Sequence, residues 1–295
     1  MRKPMKTGVF APLAAANADP EFVRAVGQAV EERGFESVWA AEHVVLFDDY
    51  DSRYPYSPDG RLPGGGDSGL LEPFTALTFR AGVAGHVRLG TGICLVPQRN
   101  PVYTAKQVAD LDVLSGGRVD FGVGIGWLRE EFEVLQMPFE QRAERCREHL
   151  EVMKALWCDE VSEYRGDHYR LRPCRMYPKP VQQPHPPVHI GGESDGALRR
   201  VAEFGQGWYS FNRTPEELGD PLRRLDQLLA EQDRSRADVQ ITVCPYLNPL
   251  APGMVEGYRE HGVDRVVGLC FAFDRDSLLT TLDQLVVDLV EPAAR

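Results

Sequence analysis

The chain has no C-x-x-C pair, and its six cysteines (Cys94, Cys146, Cys158, Cys174, Cys244 and Cys270) are scattered, several of them inside apolar runs. That spacing gives no support to a zinc site or a disulfide framework and reads as reduced thiols in a cytoplasmic protein. No apolar run approaches the ~18 residues needed to span a bilayer. Positive charge is in deficit: 33 Lys and Arg against 44 Asp and Glu leave a formal net charge of −11. Such a surface repels phosphate backbones and anionic lipid, which argues against nucleic-acid or membrane partners. A G-x-S-x-G elbow is missing, so an esterase-type serine nucleophile is not indicated. His185 and His189 are four apart, but Pro184, Pro186 and Pro187 forbid the helix that would put them on one face, and no metal is expected. No linker or charge run divides the chain, so residues 1–295 are expected to form one domain.

The N-terminus has the outline of a signal peptide. Met1-Arg2-Lys3 precedes small residues that end near Ala16-Asn17-Ala18. Pro12 interrupts the apolar part, however, and cleavage would delete the first expected strand, so the cytoplasm remains the expected location.

What the chain does have is a large apolar fraction, 43%, and a recurring punctuation. A helical pattern ends at a glycine, a few polar residues follow, and a short β-rich run begins. This occurs at Gly34, Gly85, Gly116-Gly117, Gly205 and Gly262. Glycine suits the left-handed position that ends a helix. Alternating helices and strands point to a parallel sheet. Counting outward predicts eight strands near 6–10, 37–41, 87–95, 119–124, 188–191, 207–210, 239–245 and 265–271. Helices are predicted near 20–33, 73–84, 102–115, 139–157, 195–204, 215–232, 253–261 and 275–290. Asp19 caps the first with Pro20 at its first position, and Thr214 with Glu217 forms a capping box at the sixth. The expected fold is a (β/α)8 TIM barrel with insertions; the count of eight favours it over an open doubly wound sheet, which periodicity alone does not reject. Residues 44–72, after strand 2, form a long insertion on the catalytic face and a lid candidate. Residues 159–187 form a second, with a small hairpin expected around Tyr164–Leu171.

Barrel sites lie at the C-terminal ends of the strands. The residues there are Ala11-Pro12, Glu42-His43, Thr91-Gly92-Ile93-Cys94, Gly122 through Trp127, and Gly191-Gly192-Glu193-Ser194. His43 can give or take a proton near neutral pH, or can be a structural histidine. Glu42 can orient its ring or bond a cofactor, or be a solvated loop carboxylate. Gly191 through Ser194 run into a helix start, an arrangement that cradles phosphate and also serves as an ordinary turn. Glu193 and Asp195 would repel phosphate there, so they must point away or be offset by an arginine such as Arg199 or Arg200. Gly122-x-Gly124-x-Gly126 resembles a dinucleotide fingerprint, but Trp127-Leu128-Arg129 does not continue it. A flat ring against bare backbone is a better use of those glycines. Glu42, Glu72, Glu130 and Glu131 can supply the paired carboxylates of a glycoside hydrolase, a pattern any barrel offers.

Several stretches in order resemble the bacterial luciferase-like monooxygenase family, in particular its deazaflavin (coenzyme F420)-dependent oxidoreductase branch. They are Gly34 through Trp39 with Glu42-His43, Ser52 through Gly60, Arg88 through Gly92, Asn100-Pro101, Lys106 through Arg118, Gly122 through Glu131, Tyr177 through Pro180, and Gly191-Gly192 with Gly207-Trp208. The resemblance covers nearly the whole chain. It implies a ring lying across the barrel mouth beside Ala11, His43, Thr91, Gly92, Ile93, Gly124 and Gly126, against a strand-3 bulge with a cis peptide near Gly92-Ile93. It places the cofactor phosphate at Gly191, Gly192, Glu193 and Ser194. It makes His43 the acid/base, with Glu42 beside it as a second catalytic residue, and it implies a homodimer. Some sugar dehydrogenases of the branch carry a glutamate where this chain has Trp127. An apolar or aromatic substrate walled by Trp39, Tyr54, Tyr56 and Trp127 therefore fits better. Hydride transfer with F420 is the expected activity. The alternatives are an FMN-dependent monooxygenase served by a separate cofactor reductase, a non-catalytic cofactor-binding barrel, and a metal-free hydrolase with no cofactor affinity.

Overall fold

The computed structural model describes residues 4–11, 13, 19–272 and 274–295. Its strands are β1 (Lys6–Phe10), β2 (Ser37–Ala40), β3 (Arg88–Thr91), β4 (Cys94–Leu95), β5 (Val119–Gly124), β6 (Ser162–Arg165), β7 (Arg170–Cys174), β8 (Val188–Gly191), β9 (Gly207–Phe211), β10 (Gln240–Cys244) and β11 (Arg265–Leu269). Its main helices are α1 (Pro20–Glu32), α2 (Pro73–Ala81), α3 (Pro101–Ser115), α4 (Arg129–Val134), α5 (Arg142–Cys158), α6 (Asp195–Phe204), α7 (Gly219–Ala230), α8 (Met254–Glu260) and α9 (Arg275–Leu285).

The parallel strands run in the order β3-β2-β1-β11-β10-β9-β8-β5-β4, and β3 pairs with β5 to close the ring. Counting β3 and β4 as two halves of one strand gives an eight-stranded barrel wrapped by helices, the (β/α)8 fold; the open sheet is ruled out by the Leu89–Val119 and Gly90–Asp120 pairings. A continuous apolar core fills the layer between helices and strands. The expected cap of α1 is present, with the Asp19 carboxylate accepting from the amides of Glu21 and Phe22. The insertion at 159–187 carries the antiparallel β6–β7 hairpin.

Four expectations change. The predicted strand 87–95 is broken at a cis Gly92–Ile93 peptide, so that β3 pairs low on β5 and β4 pairs higher, Cys94 with Val123 and Leu95 with Gly124. The predicted helix 139–157 begins only at Arg142, after Gln141 takes a left-handed φ of 53°, and the short α4 ahead of it was not predicted. The capping box of Thr214 and Glu217 opens a 3-10 turn ahead of α7 rather than α7 itself. The last helix passes into a π-helical turn at Val286–Val290. The stretch with the outline of a signal peptide lies largely outside the described residues. Among the described residues no helix is long and apolar enough to cross a membrane.

Candidate active site

Glu42-His43 and Gly191-Gly192 lie at the same end of the barrel and line one cavity of ≈990 Å³. That is the upper end of the roughly 300–1,000 Å³ range of small-molecule sites. The insertion after β2 roofs it, contributing Leu46, Tyr54, Tyr56, Leu62 and Leu70 to the wall. The insertion is tied down at several points. Glu130, at the start of α4, accepts from the Asp51 and Ser52 amides at 2.7 and 3.1 Å. Asn212, after β9, donates to the Tyr56 carbonyl at 3.2 Å and accepts from the Leu247 amide at 3.2 Å. Three mouth loops thus meet at one side chain.

Of the residues expected at the site, Glu42, His43, Tyr54, Tyr56, Gly92, Ile93, Gly124, Gly126, Trp127 and Gly191 through Ser194 border this cavity. Trp39, Ala11 and Thr91 do not. Trp39 is fully buried in the barrel interior, donating through Nε1 to the Ser37 hydroxyl at 3.0 Å, with its ring tilted against that of Tyr209 at 4.8 Å. Its neighbour Tyr209, one layer up, reaches the cavity in its place. The Ala11 amide extends the ladder to the Trp39 carbonyl at 3.0 Å, and it is Phe10 that faces inward. Thr91 turns its hydroxyl to the Gly122 carbonyl at 2.6 Å.

The glycine repeat on β5 also has another use than the one expected. A Cβ on Gly122 would stand 1.9 Å from the Thr91 carbonyl oxygen, and one on Gly124 would stand 1.8 Å from the Ile93 side chain. Their bare backbone admits the strand-3 bulge, which brings the Ile93 side chain to the cavity wall beside Gly124.

Glu42 is not the partner of His43. It is 4% exposed and accepts from the Leu95 amide and from the Arg99 guanidinium, which also binds Glu72 at 2.6 Å. It anchors the bulge and is paired with Arg99. His43 instead meets Glu131 of α4: Nδ1 lies 3.0 Å from Oε2. The same carboxylate accepts from Gln98 Nε2 at 3.0 Å and, through Oε1, from the Val44 amide at 2.6 Å and the Val45 amide at 3.4 Å. Burial would raise its pKa, but the donors from His43, Gln98 and Val44 outweigh that and hold it below the usual carboxylate range.

A wall of aromatic rings runs up one side. Phe10, Phe211, Tyr56, Tyr54 and Trp127 make successive edge contacts at 5.7, 5.0, 5.5 and 5.2 Å, and Trp127 meets the His43 ring at 5.8 Å. Burial raises the Tyr54 and Tyr56 phenols, so they stay neutral at ordinary pH. On the opposite side Ser194 caps α6, its hydroxyl accepting from the Ala197 amide at 3.2 Å. Glu193 turns away from that helix end, to the Phe211 amide at 2.8 Å and to Arg213 at 3.0 Å, and burial raises its pKa. Arg213 offsets Glu193, while Arg199, as expected, offsets Asp195, together with Arg224. The helix end is thereby left open to an anion. Beneath Gly92 lies the buried Tyr209 hydroxyl, beside the Cys244 thiol. An apolar slot over Ile93 and an anion-compatible helix end fit a tricyclic ring with a phosphate.

A family model described as luciferase-like monooxygenase matches residues 5–249. The uncharacterized protein Rv0953c of Mycobacterium tuberculosis is 32% identical over 211 residues, 71% of this chain and 74% of that protein. The FMNH(2)-dependent dimethylsulfone monooxygenase of Pseudomonas putida is 34% identical over 116 residues, 38% of this chain and 32% of that one. The solved structure of an F420-dependent secondary alcohol dehydrogenase superposes with a TM-score of 0.75 over 99% of this chain and 100% of that one; at 17% identity, the likeness is one of fold.

Proposed function

The chain belongs to the luciferase-like monooxygenase family, and from that premise we propose that it transfers a hydride between coenzyme F420 and a small apolar or aromatic organic substrate. The observation that carries this reading is the junction of His43, Ile93 and the Gly191–Ser194 turn around one cavity. His43, Ile93, Gly191, Gly192 and Ser194 would hold the cofactor, which supplies the hydride chemistry itself. The chain does the rest. His43 gives or takes the proton at the reacting heteroatom of the substrate. The aromatic wall from Phe211 to Trp127 receives the apolar body, and the roof over residues 44–72 keeps water out.

A second reading is an FMN-dependent monooxygenase fed with reduced cofactor by a separate reductase. The identity to the dimethylsulfone monooxygenase favours it, and the same cavity would serve. Titration of the purified protein with F420 and with FMN, followed by fluorescence, separates the two. F420 is expected to bind more tightly. Tighter FMN binding, together with oxygen uptake during turnover, would overturn the first reading in favour of the second.

A further inference from the structure

Glu131 sits 88 residues from His43 in the chain and is fully buried beneath the roof. Both of its oxygens are occupied by groups that can only be donors toward it: the Val44 and Val45 amides on one, Gln98 Nε2 on the other. A carboxylate in that setting is an acceptor for every neighbour. The imidazole nitrogen at 3.0 Å must then carry a proton. We infer that Glu131 is a positioning residue that locks neutral His43 in the Nδ1–H tautomer, so that Nε2, with its lone pair or its proton, is the nitrogen available to the cavity. Which ring nitrogen bears the proton is set by the partner of the other one. The same side chain holds the first two residues of the roof, so the seating of that segment and the orientation of the ring depend on one carboxylate.

The inference rests on the reading of His43 as the acid/base group, but its test does not. Gln98 supplies a useful detail. Its Oε1 is buried and lacks a partner among the described residues. In Glu131→Gln the amide oxygen stays with the Val44 N–H, because that donor needs an acceptor. The new NH2 then faces both His43 and Gln98. Gln98 can flip to accept it with the oxygen now idle, and His43 Nδ1 must become an acceptor. The substitution is therefore tolerated by the fold and reverses the tautomer.

The experiment is nitrogen-15 NMR of protein labelled at histidine, recorded at alkaline pH where imidazole is neutral, with His43→Gln assigning the signal among the seven histidines. In the unsubstituted protein the protonated, pyrrole-type nitrogen should be Nδ1 and the pyridine-type one Nε2. In Glu131→Gln the two types should exchange. A pyrrole-type Nε2 in the unsubstituted protein overturns the inference even if the variant does not fold, and so does an unchanged pattern in a folded variant. If the tautomer is as stated and His43→Ala leaves turnover intact, the positioning role stands and the proposed catalysis falls.

Discussion

Near the N-terminal ends of the barrel strands, Asp120 lies between Arg88 and Arg265 at 2.8 and 3.1 Å, with His189 3.5 Å away. At the C-terminal ends, Glu131 lies between His43, Gln98 and the base of the roof. Both carboxylates are buried, and both are held below the ordinary carboxylate range although burial alone would raise them. They differ in what surrounds the partner. Asp120 is enclosed by full cations, and Arg265 is itself closed in by Glu36 and by the Trp39 ring at 5.3 Å. His43 has one nitrogen on Glu131 and its ring against an open cavity. Charge enclosed by opposite charge makes a plug; charge whose partner faces an open cavity makes a site.

Substitutions at the two ends should therefore separate stability from turnover. Asp120→Ala leaves Arg88 and Arg265 short of a counter-charge and should cost ~3–5 kcal/mol in chemical denaturation. A loss below ~1 kcal/mol would erase the distinction. The pH dependence has a definite sign. Because the folded pKa of Asp120 lies below the unfolded value of about 3.9, its contribution is present above that pH and fades as the pH falls through the folded value. Acid unfolding should be correspondingly flatter in the variant. At the mouth, His43→Ala should reduce turnover by ~10²–10⁴-fold. Its unfolding midpoint should move far less than that of Asp120→Ala. A large stability loss with turnover retained would make His43 a structural histidine.

Between the two ends lies the bulge, and Gly122→Ala probes it. The added methyl meets the Thr91 carbonyl oxygen at 1.9 Å, so backbone must shift. The expected cost is ~1–3 kcal/mol, with weakened cofactor binding by fluorescence titration because Ile93 rides on the same bulge. Normal binding alongside lowered stability would detach the bulge from the site.

The fold was readable because its punctuation is local. Gly34, Gly116 and Gly262 all take positive φ at helix ends, a backbone state whose preference for glycine shows in the sequence itself. The turn at Gly191-Gly192 and the histidine after β2 were readable for the same reason: each belongs to one short segment. What could not be read are pairings across segments. Glu42 adjoins His43 in sequence, yet its carboxylate goes to Arg99. The true partner comes from α4, six residues long and too short to show helical periodicity. Its signal was present only as an acidic pair following Trp127. Trp39 looked like a pocket wall because aromatic character carries no direction; its neighbour Gly90, whose Cβ would lie 2.4 Å from the indole, marks it as interior.

A third kind of buried charge sharpens the contrast between the two ends. Arg80, on α2, is fully buried, and none of its three guanidinium nitrogens has a hydrogen-bond partner among the described residues. Among the described residues it has no carboxylate partner of the kind Glu36 and Asp120 provide for Arg265, and unlike His43 it is not on the wall of the cavity. Burial lowers its pKa to about 10, and a base whose folded pKa lies below its unfolded one weakens the fold at every pH below that value. Its aliphatic stem lies beside α1, with Cγ 3.9 Å from where a Cβ on Gly27 would stand. Methionine keeps that stem and removes the charge, so Arg80→Met should stabilise the protein by about 1 kcal/mol, a rise of about 2 °C in Tm. Turnover and cofactor binding should be unchanged. If the substitution instead destabilises the fold on the scale expected of Asp120→Ala, Arg80 belongs with the charge-paired cations and the division of buried charge into plug, site and burden fails at its weakest point.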